Sequence, residues 1–294
     1  MNCAASENAF TPVDAKPRSW IASLSLDLQL RNAVTRVISS RHTGPLRVQR
    51  PFYPEAEDCC HVYLLHPPGG MAIGDELTVS ASVGESASAL VTTPSAGKVY
   101  GTKGATGAQR QNIHIDIAEN GCLEWLPQET IIFNSANAQL KTRVNLHKDA
   151  NYFGWEIVRL GRAASGEIFK EGYCQQSLEI FCDGKPVLIE RNRVNASSEM
   201  QTQMWGLQNK NTFATLVATC VPGRELLDQL CETLDAFDPE AGDCWGLSQK
   251  KNVLIARYLG NDVALCRKGF ELIWQQVRPS LNGKNAVPPR IWKT

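Results

Sequence analysis

The stretch HPPGGMAIGDELTV, residues 66–79, brings a histidine, two prolines, three glycines and two acids together. That composition raises three possibilities: a phosphate cradle, a metal site or a hard turn. A P-loop needs a lysine and a Ser or Thr after its last glycine, and a dinucleotide fingerprint needs a helix there. Here Gly69 to Gly74 lead into Asp75 and Glu76, whose charges repel phosphate. Leu77, Val79, Ala81 and Val83 then follow at strand spacing. The stretch reads as a rigid turn between two strands, with Pro67 and Pro68 fixing φ and the glycines supplying conformations that L-residues resist.

Other reactive side chains are scattered. His42, His61, His66, His114 and His147 form neither HxxxH nor HxH. Cys59 with His61, and His114 with Asp116, each share one face of a strand at i and i+2. Two ligands do not make a structural zinc site, and solvated polar faces explain both pairs. A divalent ion in passage past scattered carboxylates would leave no compact motif. A serine nucleophile has no GxSxG, and Ser165-Gly166 lacks the strand-to-helix context. In GCLEWLPQETIIF (121–133), Glu124 and Glu129 flank Pro127 between two apolar runs. Either a bent strand turns these carboxylates into a groove, or a strand ends at the proline. The enzyme reading left open is a β-sandwich hydrolase using that carboxylate pair.

The elements that must position these residues are mostly strands. Leu24, Leu26 and Leu28, then Ile113, Ile115 and Ile117, then Val144 and Leu146 alternate with polar residues. Leu178, Ile180 and Cys182 lead into Asp183-Gly184 and a second apolar run, a hairpin signature. Strands recur without intervening helices, which predicts stacked antiparallel sheets. The last quarter differs. Leu226, Leu227, Leu230, Leu234 and Phe237 predict an amphipathic helix over 222–237, opened by a proline. Residues 245–260 read as a strand. Val263, Leu265, Cys266, Phe270, Ile273 and Val277 predict a second helix over 262–277, ending at Arg278-Pro279. The closing LNGKNAVPPRIWKT reads as an extended strap. One domain over 1–294 is the simplest organisation, with 1–19 loosely packed.

Thirty basic and thirty acidic residues cancel. A protein that tracks phosphates shows an excess or a stripe of cations, so nucleic acid is a poor partner. Zero net charge also gives little colloidal repulsion, so solubility is expected to depend on a partner. No signal peptide or membrane-length apolar run appears, so a cytoplasmic protein is expected, most of its ten cysteines free thiols without a disulfide framework.

Five landmarks, in order, go further than composition: YLLHPPGGMAIGDEL, TTPSAGKVY, LEWLPQETIIF, LGRAASGEIFKEG and the closing PPRIWKT. Their succession over residues 20–294 resembles the urease accessory protein UreD family, called UreH in some lineages. The resemblance implies an all-β-dominated fold, stacked sheets forming a helical β-structure, with two C-terminal α-helices. It implies a non-catalytic scaffold or chaperone in a protein complex. Such a scaffold binds the urease apoprotein and recruits a UreF-like helical accessory protein and, through it, a UreG-like GTPase. The complex supports nickel insertion and urease maturation. No cofactor is held tightly, and nickel passes through a polar tunnel. Matched residue by residue, the acids offered to nickel in transit are Asp75, Glu124, Glu129, Glu167 and Glu190. Hard oxygen ligands would bind nickel weakly enough to release it. The competing role for each acid is an internal salt bridge, for instance with Arg162 or Arg191.

Overall fold

The computed structural model describes residues 19–237 and 242–293. The N-terminal stretch expected to be loosely packed thus lies, apart from Ser19, outside the described residues. The strands are β1 (Ile21–Arg31), β2 (Val34–Thr43), β3 (Arg47–Val48), β4 (Cys59–Leu65), β5 (Glu76–Val83) and β6 (Ser88–Thr92). Next come β7 (Gly97–Val99), β8 (Gln109–Ile117), β9 (Cys122–Leu126), β10 (Thr130–Ile132), β11 (Ala136–Leu146) and β12 (Asn151–Leu160). A hairpin of β13 (Gly172–Cys182) and β14 (Lys185–Asn195) follows, then the single turn α1 (Glu199–Thr202) and β15 (Thr212–Ala218). The chain closes with α2 (Arg224–Asp235), β16 (Cys244–Lys250), β17 (Val253–Gly260) and α3 (Val263–Asn282).

Two sheets result. One has seven strands in the order β14-β13-β11-β8-β5-β1-β2. The other runs β16-β17-β15-β12-β9-β6-β4-β3, with β10 and β7 attached beside β12. From β4 to β13 the chain passes back and forth between the sheets, with β6–β7 and β9–β10 each consecutive in the second, so each crossover includes a strand of the opposite sheet. The fold is β-dominated, its sheets wound into a coil, with helices at the end. Strand direction departs from expectation. The β1–β5, β5–β8, β8–β11 and β11–β13 pairs are parallel, as are β4–β6, β6–β9 and β9–β12. Antiparallel pairs lie at the flanks: β1–β2, β13–β14, β12–β15, β15–β17 and β16–β17. Parallel neighbours need a long crossover, usually a helix, and here a strand of the opposite sheet serves. That is why the absence of helices between strands misleads about direction.

The alternating residues meet between the sheets. Leu24, Leu26, Leu28, Val79, Ile115 and Ile180 form one core with Val62, Val91, Tyr152 and Val158 from the opposite sheet. The second sheet is covered on its other face too, so β9, β15 and all of β4 but Leu65 are buried and carry apolar residues on both faces rather than alternating with solvated ones. There Phe153, Trp155, Leu216 and Ala256 pack against Leu230 and Leu234 of α2 and Phe270, Ile273, Trp274 and Val277 of α3.

Helix ends differ in detail from the sequence reading. The first late helix spans 224–235, slightly inside 222–237. The second passes through Pro279 to Asn282, where Gly283 closes it in the left-handed conformation. Burial of Leu281 and the grip on Arg278 hold the last turn, although proline forfeits one backbone bond. The strand read over 245–260 is a hairpin of β16 and β17, turned at Lys251 with positive φ. Of the closing segment read as an extended strap, Leu281 and Asn282 belong to α3 and Arg290–Lys293 form a 3-10 turn. That turn seats Trp292 against Trp155 and Trp274, its indole Nε1–H donating to Thr92 Oγ1 at 2.9 Å. Among the described residues no helix is long and apolar enough to cross a membrane, and the nine described cysteines are unpaired.

Candidate functional site: a cavity between the sheets and the acids around it

A cavity of 430 Å³ opens between the two sheets. Its walls come from three of the sequence landmarks. His66, Pro67 and Gly69 belong to the glycine turn, Thr93 to Lys98 to TTPSAGK, and Trp125, Pro127 and Gln128 to LEWLPQET. Backbone chemistry ties them together. Met71 N–H donates to Lys98 O, and Tyr100 N–H donates back to Met71 O. Gln128 N–H donates to Thr93 Oγ1 at 2.9 Å, and Trp155 Nε1–H to Pro127 O at 2.8 Å. Gly70 has no room for a side chain: a Cβ would lie 2.5 Å from the Tyr100 ring. Burial pushes the His66 pKa down, the nearby Asp75 charge opposing it, so the imidazole at this wall is neutral near neutral pH.

Asp75 holds the turn. Its carboxylate accepts from Trp20 N–H at 2.8 Å and Ala72 N–H at 2.7 Å. Glu167 accepts from Asn134 N–H at 3.0 Å and pairs at 2.7 Å with Arg162, one of the two arginines named as examples of bridge partners for these acids. Glu129 pairs with Arg267 of α3. Glu190 pairs with Arg257, whose Nε donates at 3.1 Å, while Arg191 goes to Glu179. Glu124 is fully buried beneath α3, on the face of β9 turned away from the cavity. It accepts from Trp274 Nε1–H at 2.6 Å and from two nitrogens of Arg278, each at 2.8 Å. The structure therefore does not gather the five acids into one site. With both oxygens of Glu124 taken, and Glu129 paired to Arg267, neither stands free as the acid or base of a hydrolase.

The acid that does face the cavity is Glu156 on β12, and the sequence reading missed it. Its signal was present: one carboxylate within YFGWEIVRL, at the same parity as Val158 of the inter-sheet core. Burial pushes its pKa up, and hydrogen bonds to Thr142 and Gln176 pull the other way. From Glu156 a polar line leaves the cavity. Gln176 Nε2–H donates to Glu156, Asn192 donates to Gln176 Oε1 and Glu190 Oε1 at 3.3 Å each, and Thr215 Oγ1–H donates to Glu190 at 2.6 Å. The line bridges the two sheets and ends at half-exposed Arg257.

Among the described residues, two side-chain groups have metal-compatible spacing. Glu55, Cys59 and His61 offer ligand atoms within 4.8 Å of one another. A guanidinium already sits on them: Arg278 Nη2 is 2.8 Å from Glu55 Oε1 and 3.7 Å from Cys59 Sγ. Burial, with Glu55 and Glu124 nearby, pushes the Cys59 thiol far up, which disfavours the thiolate a metal requires. This cluster is an ionic knot whose cation is Arg278. Glu119, His147 and Asp149 form a second group, on solvent-facing turns.

Comparison with known proteins agrees with the landmarks. The sequence pattern of the UreD urease accessory protein family matches residues 21–293. The chain is 53% identical to a protein named urease accessory protein UreD from Saccharophagus degradans, over 98% of this chain and all of that one. It is 42% identical to the UreD of Pseudomonas fluorescens over the full length of both. It is 41% identical to that of Dechloromonas aromatica over 94% of this chain and 95% of that protein. On a match of that extent, the chain belongs to the UreD family of urease accessory proteins, which serve urease maturation and are not the catalytic enzyme.

Proposed function

We propose that this protein is a cytoplasmic scaffold that passes nickel into urease apoprotein, acting with a UreF-like helical partner and a UreG-like GTPase. The observation that carries the reading is the convergence of three family landmarks on one cavity that leads to Glu156 and Glu190. Nickel is cargo in this scheme. Neutral His66 meets it at the cavity wall, the Glu156 carboxylate takes it, and Glu190 follows with Arg257 as its displaceable counter-ion. Carboxylate and single-imidazole contacts release a borderline divalent ion more readily than thiolate cages do. Asp75, Glu124, Glu129 and Glu167, each engaged by N–H groups or a cation, hold the surrounding structure rather than the route.

The test expresses the urease structural subunits and accessory proteins with and without this chain and measures urease nickel content and activity. Nickel loading is expected only with the chain present; equal loading in both would sink the scaffold reading. Glu156→Gln should retain partner binding in a pull-down while nickel content falls several-fold. Unchanged loading in that variant would remove Glu156 from the route and leave the scaffold role standing.

A further inference from the structure

The outer face of the seven-stranded sheet points away from the cavity, and its register builds a patterned surface. One cross-strand row reads Asn112, Lys141, Ser177 and Arg191 over β8, β11, β13 and β14. The next reads Arg110, Gln139, Gln175 and Arg193, and a third His114, Arg143, Glu179 and Ile189. Arg110 and Arg191 stand at opposite sides with Lys141 between them, and together with Asn112, Gln139, Gln175, Ser177 and the mostly buried Glu179 they line a hollow of about 310 Å³. The acid among these rows, Glu179, is only 7% exposed and lies beneath Arg191 and Arg143, with Glu76 bordering the far side. Within a chain of zero net charge, this end of the sheet is locally cationic. Lys141 lies between Asn112 and Ser177, and Arg193 opposite Gln175, so neither cation has a carboxylate directly across a strand.

We propose that this face docks an extended acidic segment of a partner protein, its carboxylates taken by Arg110, Lys141, Arg191 and Arg193. The spacing fits that occupant. Alternate residues of an extended chain are about 6.8 Å apart, the separation of successive rows, and neighbouring strands are about 4.8 Å apart. Gln139, Gln175 and Ser177 offer hydrogen bonds to a peptide backbone. Nucleic acid fits less well, because bases need free ring faces to stack on. Besides His114, the rings present are taken: the Arg193 guanidinium lies 5.0 Å from the Tyr173 centroid, and that of Arg143 4.3 Å from Phe181. This inference does not depend on the nickel route.

The test is fluorescence anisotropy of the full chain with a labelled peptide of alternating Asp and Ser. Saturable binding at low salt is expected, weakening about tenfold or more at roughly 0.5 M NaCl. Lys141→Glu with Arg191→Glu should weaken it about tenfold or more, while Lys148→Glu, on a turn off this face, leaves it unchanged. Circular dichroism and the thermal midpoint check folding, and Lys141→Gln with Arg191→Gln gives a milder pair if the charge reversal unfolds. Binding that survives both double variants, or no saturable binding, would overturn the proposal. So would tighter binding of a single-stranded oligonucleotide that depends on the same residues.

Discussion

Arg278 answers two carboxylates with one guanidinium. Burial alone would lower its pKa, but its hydrogen bonds to Glu124 and Glu55 hold it charged. Removing it strands both acids, so Arg278→Met should cost about 3–5 kcal/mol in urea unfolding. Burial raises the Glu55 pKa, but His61 and Arg278 more than reverse this and set it at about 2. A depressed carboxylate contributes its stability above its ordinary value near 4.5 and loses it as pH falls through about 2. Acid unfolding of the parent should therefore steepen across that window, and Arg278→Met should flatten it. Glu156 has the opposite sign. Its pKa is raised, so stability falls as pH climbs from 4.5 through the folded value. Glu156→Gln should be more stable than the parent at neutral pH, read as a higher thermal midpoint. The Glu124–Arg278 pair spans 154 positions of sequence, and no local pattern could announce it. Glu167 with Arg162, five apart, was legible.

The late helix α3 is the element on which most of these contacts depend. Asp262 caps it, accepting from Ala264 N–H at 2.7 Å and Leu265 N–H at 3.0 Å. Asp262→Ala should cost about 1 kcal/mol, measured by denaturant titration. Its apolar face was readable from residue spacing, but its end was not. Proline predicts termination from local sterics, and only the packed Leu281 and the anchored Arg278 explain why the helix continues. The hairpin turn at Asp183-Gly184 was the reverse case. Its two positive φ angles, 45° and 74°, are those the dipeptide favours in a primed turn. The glycine turn after β4 combines both situations. Its stiffness is local, while the reason for Gly70, the Tyr100 ring, lies across the coil.

At the scale of the whole molecule, parallel strands paired through crossovers on the opposite sheet make most contacts non-local. Folding of such a topology is slow, so refolding from urea should take seconds or longer by stopped-flow fluorescence of the buried tryptophans. Zero net charge adds a colloidal consequence: static light scattering should show the strongest self-association near neutral pH. Alternation with a period of two determined which residues face the inter-sheet core, because strand geometry is local and every second side chain shares a face. The leucine spacing likewise determined the late helices, and the order of landmarks pointed to the family. Strand direction was a tertiary matter, since a crossover strand looks the same in sequence whichever sheet it joins. So were the ion partners of Glu124, Glu129 and Glu190, and the meeting of three distant landmarks around one cavity with Glu156 inside it. Those depend on which turns of the coil lie against each other, and that is settled only when the two sheets close face to face.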